Sequence, residues 1–165
     1  MNLEFNRSLQ TLTVLVMLCG FCFKTNAQIL TPAKWRIEMP KKTVRVGDNV
    51  TIFFKVILTD SWYIYSSDQD PDLGPIPTSF EFEEDGSYRV IGKPIPIKMK
   101  EKYDDVWEGT VRVISTSGGG FKIKIKVLQS NPTVVGNIIY TTCSMKTGQC
   151  IFPEEDFEFD IKTAN

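Results

Sequence analysis

From residue 28 onward apolar side chains recur at every second position, and no 3.6-residue stripe is sustained. The clearest case is Phe121-Lys-Ile-Lys-Ile-Lys-Val127, with apolar residues at 121, 123, 125 and 127 and lysines at 122, 124 and 126. Such alternation predicts a strand with one buried and one wet face. Similar runs predict strands over 35–39, 43–46, 49–58, 62–65, 78–83, 88–91, 110–114, 133–142 and 157–161. Turn signals separate them: Gly47-Asp48, Asp85-Gly86, Gly118-Gly119-Gly120 and Ser130-Asn131-Pro132. Short strands at this spacing predict an all-β fold, an immunoglobulin-like β-sandwich. No Pro- or Ser-rich linker divides residues 28–165, so they are read as one domain.

Two stretches break the alternation. Residues 66–77 are rich in Pro and Asp and read as a loop across one end of the sandwich. Residues 94–107 mix Pro94 and Pro96 with charges and end in Trp107; they too read as irregular. The lysine row at 122–126 reads as a solvated face that discourages edge pairing, with a basic docking stripe as the alternative.

Residues 1–27 change the picture. Arg7 precedes an apolar run of about 12–23, too short to span a bilayer, which takes about 20 apolar residues. Thr25-Asn26-Ala27 then places small residues at −3 and −1, so cleavage is expected before Gln28. The expectation is an exported chain, soluble after cleavage, without stable membrane insertion and in an oxidising compartment. Cys19 and Cys22 fall inside the discarded segment.

The whole chain carries 19 Lys+Arg against 20 Asp+Glu; residues 28–165 keep 17 and 19, a net charge of −2. That balance argues against a nucleic-acid binder and against an electrostatic hold on membranes. There is no histidine, which excludes Ser-His-Asp and Cys-His catalytic units and His-ligated metals. A composition 42% hydrophobic is ample for a core.

Cys143-Ser-Met-Lys-Thr-Gly-Gln-Cys150 is the one constellation that carries chemistry. Strand-like runs flank it and Gly148 offers a turn, so the pair fits the ends of a hairpin, within the separation of about 4.4–6.8 Å a disulfide needs. Three readings stand. A structural staple over about eight residues is worth roughly 2.5 kcal/mol. A redox pair works by thiolate attack through a mixed disulfide; Lys146 would favour the thiolate, while Asp104 or Asp105 nearby would oppose it. Two thiolates with Met145 are a thinner set, suited to Cu(I).

Four motifs bear on the choice: Asp60-Ser-Trp-Tyr-Ile-Tyr-Ser66, Gly74-Pro-Ile-Pro-Thr-Ser-Phe-Glu-Phe82, Lys102-Tyr-Asp-Asp-Val-Trp-Glu-Gly109, and Tyr140-Thr-Thr-Cys…Cys150-Ile-Phe-Pro153. With them the chain, over about 32–161, resembles the N-terminal periplasmic domain of the thiol:disulfide interchange protein DsbD, the disulfide bond corrector family. The resemblance implies that Cys143 and Cys150 cycle between dithiol and disulfide, with no cofactor and no metal. It implies a cap at Asp105, Val106 and Trp107, with Tyr63, Tyr65 and Tyr140 near the pair. It implies a periplasmic location in a Gram-negative bacterium. The partners implied are a membrane thiol-electron transporter and thioredoxin-like periplasmic proteins, supplied by other chains. The cysteine loop is one residue longer than in the best-known members, and Trp107 stands where Phe is commoner.

Overall fold

The computed structural model describes residues 30–39 and 43–164. The expected export segment and its two cysteines lie outside the described residues. Residues 31–164 belong to one compact unit, and among the described residues there are strands and turns but no helix.

The strands are β1 (Ala33–Glu38), β2 (Asn49–Leu58), β3 (Trp62–Tyr65), β4 (Ser79–Phe82), β5 (Tyr88–Ile97), β6 (Lys100–Asp104), β7 (Gly109–Ile114), β8 (Gly120–Val127), β9 (Thr133–Ile139), β10 (Thr142–Ser144), β11 (Cys150–Ile151) and β12 (Glu154–Asp160). One sheet has the order β1-β2-β8-β5; the others run β11-β10-β3-β7-β6 and β12-β9-β4. Every strand pairing is antiparallel. The fold is all-β and immunoglobulin-like. The four-stranded sheet packs its inner face on the other two across a shared core.

The alternation in β2 builds that core. Val50, Ile52, Phe54 and Val56 turn inward and are buried, as do Phe121, Ile123, Ile125 and Val127 of β8. Val134, Ile138 and Phe157 close it from the other side. Phe54 lies at the centre: its ring meets Phe80, Phe82, Phe157 and Phe159 edge-on at 5.0–6.4 Å. Edge-to-face pairs add about 0.5–1.5 kcal/mol each beyond their area. Burying each such side chain contributes about 1.5–3 kcal/mol.

Three local expectations differ from the structure. Residues 94–104 are not irregular: β5 continues to Ile97 and β6 follows. The prolines are tolerated because β5 is an edge strand, where a missing N–H costs no ladder bond, and the register shifts between Ile91 and Ile95. The lysine row of β8 lies on an interior strand, between β2 and β5, so it protects no edge; its side chains stand exposed on the outward sheet face. Residues 43–46 supply only an isolated parallel bridge, Val44 to Thr163.

Candidate functional site

β3 serves both faces of its sheet. Ile64 enters the main core, whereas Tyr63 and Tyr65 point the other way. They join a second, smaller cluster with Val111, Val113 and Cys143, against which Leu73 and Cys150 pack. This cluster therefore sits on the outward side of the layer that opposes the four-stranded sheet.

Cys143 and Cys150 are joined by a disulfide, with Cα atoms 4.1 Å apart. They face each other directly across β10 and β11. The separation falls just below the expected range; cross-strand partners of the non-hydrogen-bonded kind, at about 4.5 Å, already sit at its short end. The hairpin is also held by its own bonds. The Ser144 N–H donates to Gln149 O at 2.9 Å and the Gly148 N–H to Ser144 O at 2.9 Å. Ser144 Oγ accepts from the N–H groups of Lys146 and Thr147, each at 3.2 Å. Gly148 adopts φ 69°, a left-handed conformation that favours glycine.

The two sulfur residues differ in access. Cys143 is 1% exposed. Cys150 is half-buried, on the two-residue strand at the sheet edge.

On its other side Cys143 is paired with Tyr63. The phenol oxygens of Tyr63 and Tyr65 are 3.4 Å apart. Burial pushes the Tyr65 phenol far above its ordinary value, reinforced by the Tyr63 hydroxyl and then by the charge of Asp104. Tyr65 is thus a neutral phenol at physiological pH and no base. Lys102 places its ammonium 5.0 Å from the centre of the Tyr63 ring and 3.0 Å from Asp104 Oδ2. Burial by itself would raise the Asp104 carboxyl. The Lys102 hydrogen bond, the Val106 N–H, the Lys102 charge and the Trp107 N–H outweigh it and hold the carboxyl below its usual range. Burial likewise works against the Lys102 ammonium, but Asp104 and Tyr63 raise it above its ordinary value.

Loop 66–77 lies over this face. Leu73 comes so close to Gly109 that a Cβ there would meet its side chain at 2.7 Å. Gln69 is buried; its amide donates to Leu73 O and its carbonyl accepts the Arg112 N–H. Thr141 Oγ1 donates to Ile76 O at 2.9 Å, and Thr142 Oγ1 to Tyr63 O at 3.0 Å. Apart from Ser87, the buried polar side chains among the described residues gather here: Ser66, Gln69, Thr78, Asp104, Thr141, Thr142 and Ser144. A region that buries this much polarity must satisfy it with fixed partners, and that fixes the loop's place.

The expected site residues are therefore spread over three places. Tyr63 and Tyr65 accompany the sulfurs. Tyr140 turns into the main core, where its hydroxyl donates to Glu155 at 2.6 Å. Asp105, Val106 and Trp107 form the turn between β6 and β7, with Val106 81% and Trp107 45% exposed. The acid whose charge reaches Tyr65 is Asp104. Lys102, Asp104, Gln69 and Leu73 complete the surroundings; the strand order β3-β7-β6 brings in the first two and the path of loop 66–77 the others, neither visible in the sequence. Among the described residues no group of three or more His, Cys, Asp or Glu is placed to hold a metal ion.

No family model matches the chain, and no curated protein matches it. Solved structures do. The N-terminal periplasmic domain of ScsB from Proteus mirabilis matches with a TM-score of 0.55 and 17% identity, over 81% of this chain and 50% of that one. This chain thus spans about half the length of that relative, and the likeness is one of fold. Two structures from Neisseria meningitidis match with lower scores. One is the complex between the DsbD N-terminal and PilB N-terminal domains, with a TM-score of 0.42, 18% identity, and 76% and 80% of the two chains covered. The other is the DsbD N-terminal domain in its reduced form, with a TM-score of 0.41, 20% identity, and 79% and 86% covered.

Proposed function

We propose that this chain is a thiol:disulfide exchange module whose working pair is Cys143 and Cys150. The observation that carries the reading is the asymmetry of the disulfide: one residue buried on an interior strand, its partner half-open on a two-residue edge strand. A donor thiolate attacks Cys150 Sγ, forming a mixed disulfide, and Cys143 leaves as a thiolate that takes up a proton. The donor's second thiolate then attacks its own sulfur in the mixed disulfide and releases Cys150. The donor dithiol is oxidised by two electrons and the pair is reduced. Run in reverse, the dithiol passes both electrons to an acceptor disulfide.

The partners in this reading are a membrane thiol-electron transporter as donor and thioredoxin-like periplasmic proteins as acceptors. The chain works in the periplasm after cleavage before Gln28. Exposed Val106 and Trp107, beside Asp105, are the contact turn a partner meets first. Tyr63 and Tyr65, packed in one cluster with Cys143, screen it from water. A purely structural staple has less to offer, because the hydrogen bonds of the 144–149 turn already close the same eight-residue loop.

The test is the reactivity of single-cysteine variants toward an aryl disulfide such as 5,5′-dithiobis(2-nitrobenzoate). Cys143→Ser, which leaves Cys150, is expected to react at least about tenfold faster than Cys150→Ser. Equal rates, or an oxidised pair with a reduction potential far below about −300 mV, sink the proposal.

A further inference from the structure

The net charge conceals a strong segregation of charge. The outward positions of the four-stranded sheet follow from its register. Lys122, Lys124 and Lys126 of β8 stand opposite Phe53, Thr51 and Asn49 of β2 on one side and Ile95, Ile91 and Arg89 of β5 on the other. Across β2, Lys34 and Arg36 of β1 face Ile57 and Lys55. The six cations Lys34, Arg36, Arg89, Lys122, Lys124 and Lys126 are all exposed. None of them forms an ion pair among the described residues. The single acid in these outward positions, Glu38, is taken by Lys55 at 2.5 Å.

The outward face of the β12-β9-β4 sheet is the reverse. Its register turns Glu154, Asp156, Glu158 and Asp160 outward, with Glu81 beside them, all exposed. The two faces lie on opposite sides of the core. Sheets pack about 10 Å apart, so with outward side chains the charge layers stand roughly 20–25 Å from each other, beyond two Debye lengths of about 8–10 Å. At physiological salt each face acts on its surroundings largely on its own.

We propose that the β1-β2-β8-β5 face docks on an anionic lipid surface. Two observations favour lipid over an acidic protein. The lysines of β8 repeat every second residue, about 6.6 Å apart along an extended strand, with no acid between them. Such a row suits a diffuse plane of negative charge better than a few fixed carboxylates. Exposed Ile57, Ile91 and Ile95 stand among the cations, at 42%, 36% and 59%. A headgroup layer accepts short aliphatic groups and cations together. This inference does not depend on the redox reading. It does orient the molecule: the Cys143–Cys150 cluster, on the outward side of the opposite layer, faces away from the lipid.

The experiment is co-sedimentation of the purified chain with phosphatidylcholine vesicles, with and without about one third phosphatidylglycerol. Binding is expected on the anionic vesicles only, and is lost at about 0.5 M salt. The triple variant Lys122→Glu/Lys124→Glu/Lys126→Glu weakens it by about a hundredfold or more. The milder Lys→Gln triple weakens it less, and Glu154→Lys/Glu158→Lys on the far face leaves it intact. Circular dichroism checks that each variant is folded. No binding, equal binding to neutral vesicles, or binding that both lysine triples leave unchanged overturns the proposal. So does self-association without vesicle binding, abolished by the lysine triples, which would mark the basic face as a dock for the acidic face of a second copy.

Discussion

The molecule buries side chains in two places, and the two clusters obey different rules. Around Phe54 the packing is ring on ring, with apolar neighbours from three sheets. Around Cys143 two phenols pack with Val111, Val113 and Leu73, and polar groups stand at their border: Lys102 over the Tyr63 ring, Asp104 on Lys102, and the Thr142 hydroxyl on Tyr63 O. Both clusters draw on one short strand, β3, whose alternation sends Ile64 to one and Tyr63 and Tyr65 to the other. Stability needs many interchangeable apolar contacts; exchange chemistry needs a few fixed polar ones beside an accessible sulfur. On the function proposed above, a single four-residue strand divides these tasks between its faces.

Three variants sharpen that contrast. Phe54→Ala carries the largest expected effect, a loss of about 3–5 kcal/mol in denaturant unfolding, while sulfur reactivity per folded molecule stays unchanged. A change in that reactivity would mean the clusters are coupled. Leu73→Ala comes next. Its expected cost is only about 1–2 kcal/mol, since Leu73 is partly exposed, but the disulfide is expected to react with a small thiol several-fold faster. An unchanged rate would show that loop 66–77 does not shield the pair. The smallest effect belongs to Asp104→Asn. The Asp104 carboxyl is held below its ordinary value, so its contribution is present above the unfolded value of about 4 and lost as pH falls through the folded one. The loss of stability between about pH 6 and pH 3 should be smaller in the variant than in the parent; an equal loss would remove Asp104 from the account.

The larger features of the fold were legible in the sequence. The spans 49–58 and 62–65 match β2 and β3, and the turn signals fall between strands. Each of those strands shows its two faces in its own alternation. What failed needed knowledge of neighbours. Prolines at 94 and 96 read as breakers until the strand is known to be an edge. The lysines of β8 read as edge protection until β5 is found beside them. Strand β12 begins at Glu154, before the expected 157, because its acids point to solvent and leave no apolar trace. For the site, Cys143 and Cys150 were legible from spacing and Tyr63 and Tyr65 from resemblance. Lys102, Asp104 and Leu73 arrive through strand order and a loop path that local pattern does not encode.

The register of the cysteine hairpin carries one more consequence. Cys143 and Cys150 are placed opposite each other by backbone bonds that do not involve sulfur: Ser144 with Gln149, Gly148 with Ser144. Opening the S–S bond removes none of these. On the reading proposed above, the hairpin then holds the two sulfurs in register whether or not they are bonded. A partner of such a pair would meet two thiols already set side by side, so the cost of aligning them is met by the backbone before any encounter.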